Sequence, residues 1–227
     1  MKYVKSEMPQ RVIEKPVRKD EEDLAQGDRV VDCFVMGNFV GQRVYNHKGV
    51  LVLETSMKDG LKQGREISWD DDGNLLSIES YAKGKIHGTA KQYGHNGRLI
   101  GTYKMKHGTG FDIWRQEDEQ SGVFVSEIHS LTDGLPNGYE WWFSSRQQDL
   151  MHERHWHLGK LHGIERVWNS NGRLSRGYPK FFIEDQTVSK QKYTKMALID
   201  KTLPSFQEKD NLPYRKLPTG IKKLISP

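Results

Sequence analysis

His152, His155, His157 and His162 fall in one short stretch of the chain. Imidazole is the commonest metal ligand and titrates near neutral pH, so this is the first place to look for chemistry. On an extended strand alternate side chains share a face, which sets His155 and His157 on one side and His152 on the other. At most two imidazoles then converge, and a zinc site would need a third or fourth ligand from a neighbouring strand. Neither a cysteine pair nor an HExxH segment accompanies them, so no metal is predicted. Asp70, Asp71 and Asp72 lack the twelve-residue spacing and closing glutamate of a calcium loop, and predict a hairpin turn instead. A nucleophile elbow, a phosphate-binding loop and a dinucleotide fingerprint are all missing from the sequence, and Gly108-Thr109-Gly110 reads as a turn. Cys33, the single cysteine, lies in an apolar run and reads as a small buried residue rather than a nucleophile. The expectation is a protein that is not an enzyme and carries no cofactor.

What the sequence offers instead is aromatic surface. Trp69, Tyr93, Trp114, Trp141, Trp142, Phe143, Trp156 and Trp168 are more large rings than a thin sheet can hide. Adjacent residues of a strand point to opposite faces, so Trp141 and Trp142 must diverge. Tryptophan, tyrosine and arginine dominate binding hot spots, and the expected partner-binding residues are Trp114, Trp141, Arg154, His155 and Trp156.

The elements that position these residues come from a repeat, and repeats are read before anything else in a fold. Gly60, Gly64, Trp69 and Gly73 recur as Gly84, Gly88, Tyr93 and Gly97, and again as Gly159, Gly163, Trp168 and Gly172. Upstream, Gly37, Gly41, Tyr45 and Gly49 fit the same frame, and so do Gly134, Gly138 and Phe143 between them. Leading glycines at 37, 60, 84, 108, 134 and 159 mark about six units. The fourth has Gly110 and Trp114 in shifted places and an acidic insertion, Glu117-Asp118-Glu119. The fifth lacks the third glycine and carries Arg146-Gln147-Gln148-Asp149 at that turn.

Runs such as Leu75–Tyr81 and Leu99–Met105 follow the third glycine, and period-two alternation between turn residues predicts a β-hairpin per unit. Asx residues before the third glycine suit a turn that requires positive φ. An isolated hairpin is marginal in water, so six must pair edge to edge into one elongated, single-layer antiparallel sheet. A hydrophobic content of 35% and a mean hydropathy of −0.79 fit such a sheet with two wet faces. The aromatics after each second glycine are expected to stack as a ladder.

G-x-x-x-G, an aromatic, then D/N-G-x-L and a second aromatic resemble the MORN repeat, and the form found in bacterial proteins of the YwqK-like antitoxin family is the most similar. The resemblance covers Gly37 to about Phe182. It implies a binding scaffold for proteins or, in some eukaryotic members, phospholipid head groups, with no chemistry of its own.

The flanks divide the chain into an N-terminal arm (1–28), the repeat sheet (29–183) and a capping helix with a proline-containing tail (184–227). Residues 14–23 are charged and proline-broken and predict a loop. Arg29–Phe39 predicts a strand capping the sheet edge. A last strand is expected over 177–183, then a short amphipathic helix over 188–200 with Thr187 or Ser189 as N-cap. Its apolar positions include Val188, Tyr193, Met196, Ala197 and Leu198. The tail is expected to drape on the sheet through Leu203, Phe206 and Tyr214. The net charge of +5 and pI of about 9.1 come from interspersed charges, which argues against a nucleic-acid partner. A lone cysteine and no run of about 20 apolar residues imply a cytoplasmic protein. Three functions follow as expectations. The first is a module that binds another protein, by resemblance a toxin or effector. The alternative is a scaffold on anionic membrane surfaces. The third, an enzyme appended to the repeats, is disfavoured by the short segment after Phe182.

Overall fold

The computed structural model describes residues 8, 11–17, 27–145, 149–213, 217 and 221. The chain divides into two compact units, Met1–Gly108 and Thr109–Pro227. The first runs β1 (Ile13–Pro16), β2 (Arg29–Val35), β3 (Asn38–Tyr45), β4 (Leu51–Lys58), β5 (Leu61–Trp69), β6 (Leu75–Ala82), β7 (Lys85–Ile86), β8 (Gly88–Tyr93) and β9 (Leu99–Lys106). The second runs β10 (Thr109–Asp118), β11 (Gly122–Thr132), β12 (Leu135–Phe143), β13 (Leu150–His157), β14 (Lys160–Leu161), β15 (Gly163–Val167), β16 (Lys180–Ile183), β17 (Gln186–Val188), helix α1 (Lys190–Ile199) and a 3-10 turn (Glu208–Asn211). Within each unit consecutive strands pair antiparallel, as in β4–β5 and β12–β13. The result is the all-β hairpin repeat, open rather than closed and ending in a short helix, that the glycine frame predicts.

Two kinds of turn alternate. At the leading glycines the loops are two residues long with positive φ at both positions, as at Lys83-Gly84 (51° and 80°) and Leu158-Gly159 (47° and 86°). This geometry matches the twist of the strands it joins. At the third glycines the loops are three residues long. The N–H of Asp70 donates to the carbonyl of Asn74 (2.9 Å) and that of Gly73 to the carbonyl of Asp70 (3.0 Å), and the pattern recurs at Asn46–Val50, Gly94–Arg98 and Asn169–Arg173. The Asp70 carboxylate accepts from the N–H groups of Asp72 and Asn74 (3.0 and 2.8 Å). The aspartate triplet is therefore a self-capped hairpin turn.

The two-residue turns also join neighbouring hairpins. The glycine N–H donates to a carbonyl about one repeat back, from Gly84 to Lys62 (2.9 Å), Gly108 to Ile86 (2.7 Å) and Gly159 to Pro136 (2.8 Å). The preceding residue's N–H donates to a side chain there, from Lys83 to Gln63 (2.9 Å), His107 to His87 (3.2 Å), Asp133 to Thr109 (3.0 Å), Leu158 to Asn137 (3.1 Å) and Glu184 to His162 (3.2 Å). All five acceptors stand immediately before the second glycine of their unit. His87 and His162 have this specific duty.

The structure corrects several expectations. Arg29–Phe39 is two strands, because Met36 and Gly37 take positive φ (48° and 80°) and turn the chain. Residues 14–16 are not loop: β1 pairs with β2, where Glu14 accepts from Arg43 Nη1 (2.9 Å) and Tyr45 Oη (2.6 Å). The remainder of the charged segment, 18–23, lies outside the described residues, as do 146–148 of the fifth-unit turn and Tyr214. Ring contacts found among the described residues do not join one repeat aromatic to another, so the aromatic ladder is not formed. The nearest equivalents close strand ends, with Trp69 and Tyr93 half-buried and Trp168 buried. Helix α1 is shorter than predicted because Val188 belongs to β17, and Ser189 caps it by accepting from Lys192 N–H. Leu198 is 71% exposed, while Tyr193 packs with Ile164, Phe181 and Leu203 and against Phe206. One face of the second unit is thus covered by its C-terminal segment rather than wet, through two of the three residues expected to drape there. The acidic insertion lengthens the β10–β11 hairpin into the two longest strands among the described residues. Cys33 is fully buried, and burial pushes its thiol up to about 11.

Burial should decide what each turn-linking side chain contributes. His162 is 3% exposed and also contacts Thr202 Oγ1 (3.0 Å), whereas Gln63 is exposed. His162→Ala is expected to cost about 1–3 kcal/mol by removing a buried ring together with its hydrogen bonds, and Gln63→Ala about 0.5 kcal/mol because water can replace it. Chemical denaturation of the two variants, compared at constant m-value, checks the ordering.

Candidate functional site

The second unit lays out its side chains in lateral rows across β10, β11, β12, β13 and β15. One row, set by strand register, is Ile113, Ile128, Trp141, Glu153 and Arg166. Its neighbours on either side, Trp114–Glu127–Trp142–His152 and Asp112–His129–Glu140–Arg154, point to the opposite face, as alternation requires.

The first row is core. Trp141 is 2%, Glu153 0% and Arg166 1% exposed. The Glu153 carboxylate accepts from Trp141 Nε1 (2.8 Å) and Arg166 Nη1 (2.7 Å), and Arg166 Nε donates to Asn211 Oδ1 (3.1 Å). Trp168 Nε1 donates to the Asn211 carbonyl (2.7 Å). Trp141 is therefore corrected as a binding residue: its ring is spent on the interior. His155 also lies on this side. Its Nδ1 meets the His162 carbonyl at 2.6 Å, its ring stands edge-on to Tyr139 at 4.7 Å, and burial pushes its pKa below the usual histidine value. A Cβ on Gly163 would lie 2.5 Å from the His155 Cβ, so the second glycine of this unit is what admits the ring.

The opposite face gathers Trp114, Trp142, Arg154 and Trp156, all half-buried. The Trp142 indole stacks on His152 at 4.7 Å, lies under the Arg154 guanidinium at 5.1 Å and takes the edge of His129 at 5.6 Å. Both ring nitrogens of His129 meet carboxylates, Nδ1 with Glu140 (2.6 Å) and Nε2 with Glu127 (3.0 Å). Two acceptors require two donors, so this geometry calls for the imidazolium. Burial opposes that charge, but the hydrogen bond and charge of Glu140, with Asp112 and Glu127 beside it, hold the His129 pKa above the usual value. Glu140 is held below the usual carboxylate value: burial raises it, but hydrogen bonds from His129 and from Trp156 Nε1 (2.7 Å) prevail. His152 shifts the other way. Burial and the Arg154 charge outweigh Glu165 and lower its pKa, although its Nε2 lies 2.9 Å from Glu165. Arg154 Nε reaches the same Glu165 oxygen at 3.2 Å.

Of the five expected binding residues, the structure brings Trp114, Arg154 and Trp156 together on one face and sends Trp141 and His155 elsewhere. It adds Trp142, which the alternation argument separates from Trp141 without saying which ring is exposed. Among the described residues there is no group of three histidine, cysteine or acidic side chains arranged to hold a metal ion, and no helix is long and apolar enough to cross a membrane. Compared with protein-family models and with curated proteins, the chain matches none.

Two measurements test this division of the faces. Trp141→Ala should cost about 3–5 kcal/mol as a core truncation, and Trp142→Ala about 1 kcal/mol, because only part of its area is withdrawn from water. The raised His129 pKa implies a contribution to stability that is full below pH 6.5 and is lost as pH rises through the folded value. The lowered Glu140 pKa implies one that is full above pH 4.5 and is lost as pH falls through its folded value. The pair therefore stabilises most between these limits. His129→Gln should flatten both flanks of the stability profile, and imidazole resonances followed by NMR should show His129 titrating above His152.

Proposed function

We propose that the protein is a non-enzymatic repeat module that binds another protein, and that the Trp142–Arg154–Trp156 face of its second unit is where the partner docks. The observation that carries this reading is the concentration of half-buried indoles and a guanidinium on one sheet face whose opposite side is covered by its own C-terminal segment. These are the residue types that anchor protein interfaces, and here they are held in place before any partner arrives. The polar groups between them already satisfy one another, which suits a contact surface better than a reaction centre. The resemblance of the glycine frame to MORN repeats, in the form found in YwqK-like antitoxin proteins, makes a toxin or effector neutralised by surface coverage the class of partner. A cytoplasmic location belongs to the same reading.

Affinity capture of the tagged full chain from native lysate tests it, with Trp142→Ala/Arg154→Ala as control. The expected result is one stoichiometric protein held by the wild type and lost from the variant, whose melting temperature stays within a few degrees of the wild type. Equal retention by both would move the partner off this face. Recovery of no protein, together with salt-sensitive binding to phosphatidylserine vesicles, would replace the reading with a membrane-surface scaffold.

A further inference from the structure

On this face one imidazolium ties two acids down. His129 on β11 meets Glu140 on β12 through Nδ1 (2.6 Å) and Glu127, two residues back along its own strand, through Nε2 (3.0 Å). Both carboxylates accept, so both ring nitrogens carry a proton. The other charged groups around the ring are Asp112, in register with it on β10, and Arg154, in register with Glu140 on β13, with His152 held by Glu165 on the far side of Trp142. The three acids favour the imidazolium, while burial and the like charge of Arg154 oppose it; the acids prevail, and the His129 pKa stands above the usual value. Glu127 has a particular place. Register sets it directly between Trp114 on β10 and Trp142 on β12, so these two indoles stand roughly 10 Å apart with a glutamate in the gap.

We propose that His129 is a proton-operated latch: as the imidazolium it holds the Glu127 carboxylate back along β11, clear of the gap between Trp114 and Trp142, and as the neutral ring it releases that carboxylate into the gap. That the latch controls docking rests on the protein-binding reading. Burial decides which acid is released. A neutral ring keeps one N–H for two acceptors. The Glu140 side chain is 15% exposed and holds the Trp156 indole N–H on its other oxygen (2.7 Å), so it cannot turn to water, whereas that of Glu127 is 32% exposed. The remaining N–H therefore stays on Nδ1, and the bare Nε2 lone pair faces the Glu127 carboxylate and repels it. A partner covering the gap in the protonated state meets two indoles and an acid already bonded to His129. In the neutral state it must bury a carboxylate that has lost its partner, which is costly. Docking is thus favoured below the folded pKa of His129, which lies above 6.5, and weakened as pH rises through it.

The test follows the full chain by NMR from about pH 6 to about pH 9, with labelled tryptophan and histidine, Trp114→Phe and His129→Gln assigning the two resonances that matter. Trp114 stands opposite Glu127 rather than His129, and its indole N–H signal should move along the His129 titration curve as Glu127 leaves. Glutamine accepts from the imidazolium and donates to the neutral ring, so in Glu127→Gln the side chain stays in place, and the Trp114 displacement should fall severalfold while His129 still titrates. A Trp114 signal that stays fixed while His129 titrates overturns the latch, and so does an undiminished displacement in Glu127→Gln. A captured protein partner, loaded at pH 6 and washed at pH 9, should be held about tenfold less by the wild type than by Glu127→Gln. Equal retention by the two overturns the control of docking and leaves the protein-binding reading intact. A latch seen in the free chain with no protein captured at either pH supports the latch and sinks that reading.

Discussion

A two-residue turn leaves two N–H groups with no partner in its own hairpin, and the packing of the repeats follows from where those donors go. Turn after turn sends one to a backbone carbonyl and the other to a side chain, both about one repeat back. Most of these donors belong to exposed residues, where water competes for them, so within a unit the bonds favour the one register in which both are made rather than compel it. The period matches this reach, and the residue before each second glycine is the one placed to meet it. Gln63, His87, Thr109, Asn137 and His162 share no charge, size or shape, only an acceptor atom at the right height. Where the turn has no glycine, as at Glu184-Asp185, the bonds are still made, to His162 and to the Leu161 carbonyl (2.8 Å). The donor geometry is therefore the constraint, and glycine is the easiest way to meet it.

This explains what could be read in the sequence and what could not. The leading and third glycines stand at fixed spacing because backbone conformation demands them, and that demand is local, so the hairpins and their glycine turns were legible from the residues. The acceptor position was hidden because five different side chains serve it. Strand β1 was hidden because Ile13–Pro16 ends in a proline and sits beside a charged run, while its pairing depends on Arg43 and Tyr45 some thirty residues away. The aromatic ladder failed for a related reason: ring position within a repeat was legible, but each ring ends a strand and is claimed by its own surroundings. Trp168, for instance, is claimed by the Asn211 carbonyl.

The candidate site divides along the same line. Alternation separated Trp141 from Trp142 but could not say which was interior, because that depends on which face the C-terminal segment covers. Asn211 decides it, by reaching Arg166 and Trp168 on the Trp141 side. A buried arginine–glutamate pair is weak evidence of net stabilisation, since desolvating two charges opposes their attraction. Its consequence here is directional. Because burying an unpaired charge is costly, Glu153 and Arg166 face the side where Asn211 and Trp141 complete their hydrogen bonds, and that choice turns Trp142, Arg154 and Trp156 outward.

The outward face is consequently charged yet internally neutralised over much of its area. Glu127 and Glu140 hold His129, and Glu165 holds His152 and Arg154. A partner approaching such a surface would meet few bare charges, so long-range steering would be weak and a contact there would draw its strength from the indoles. Rings held by stacked histidine and guanidinium neighbours would lose little freedom were a second protein to cover them, and this prior ordering separates the face from an ordinary patch of exposed aromatic side chains.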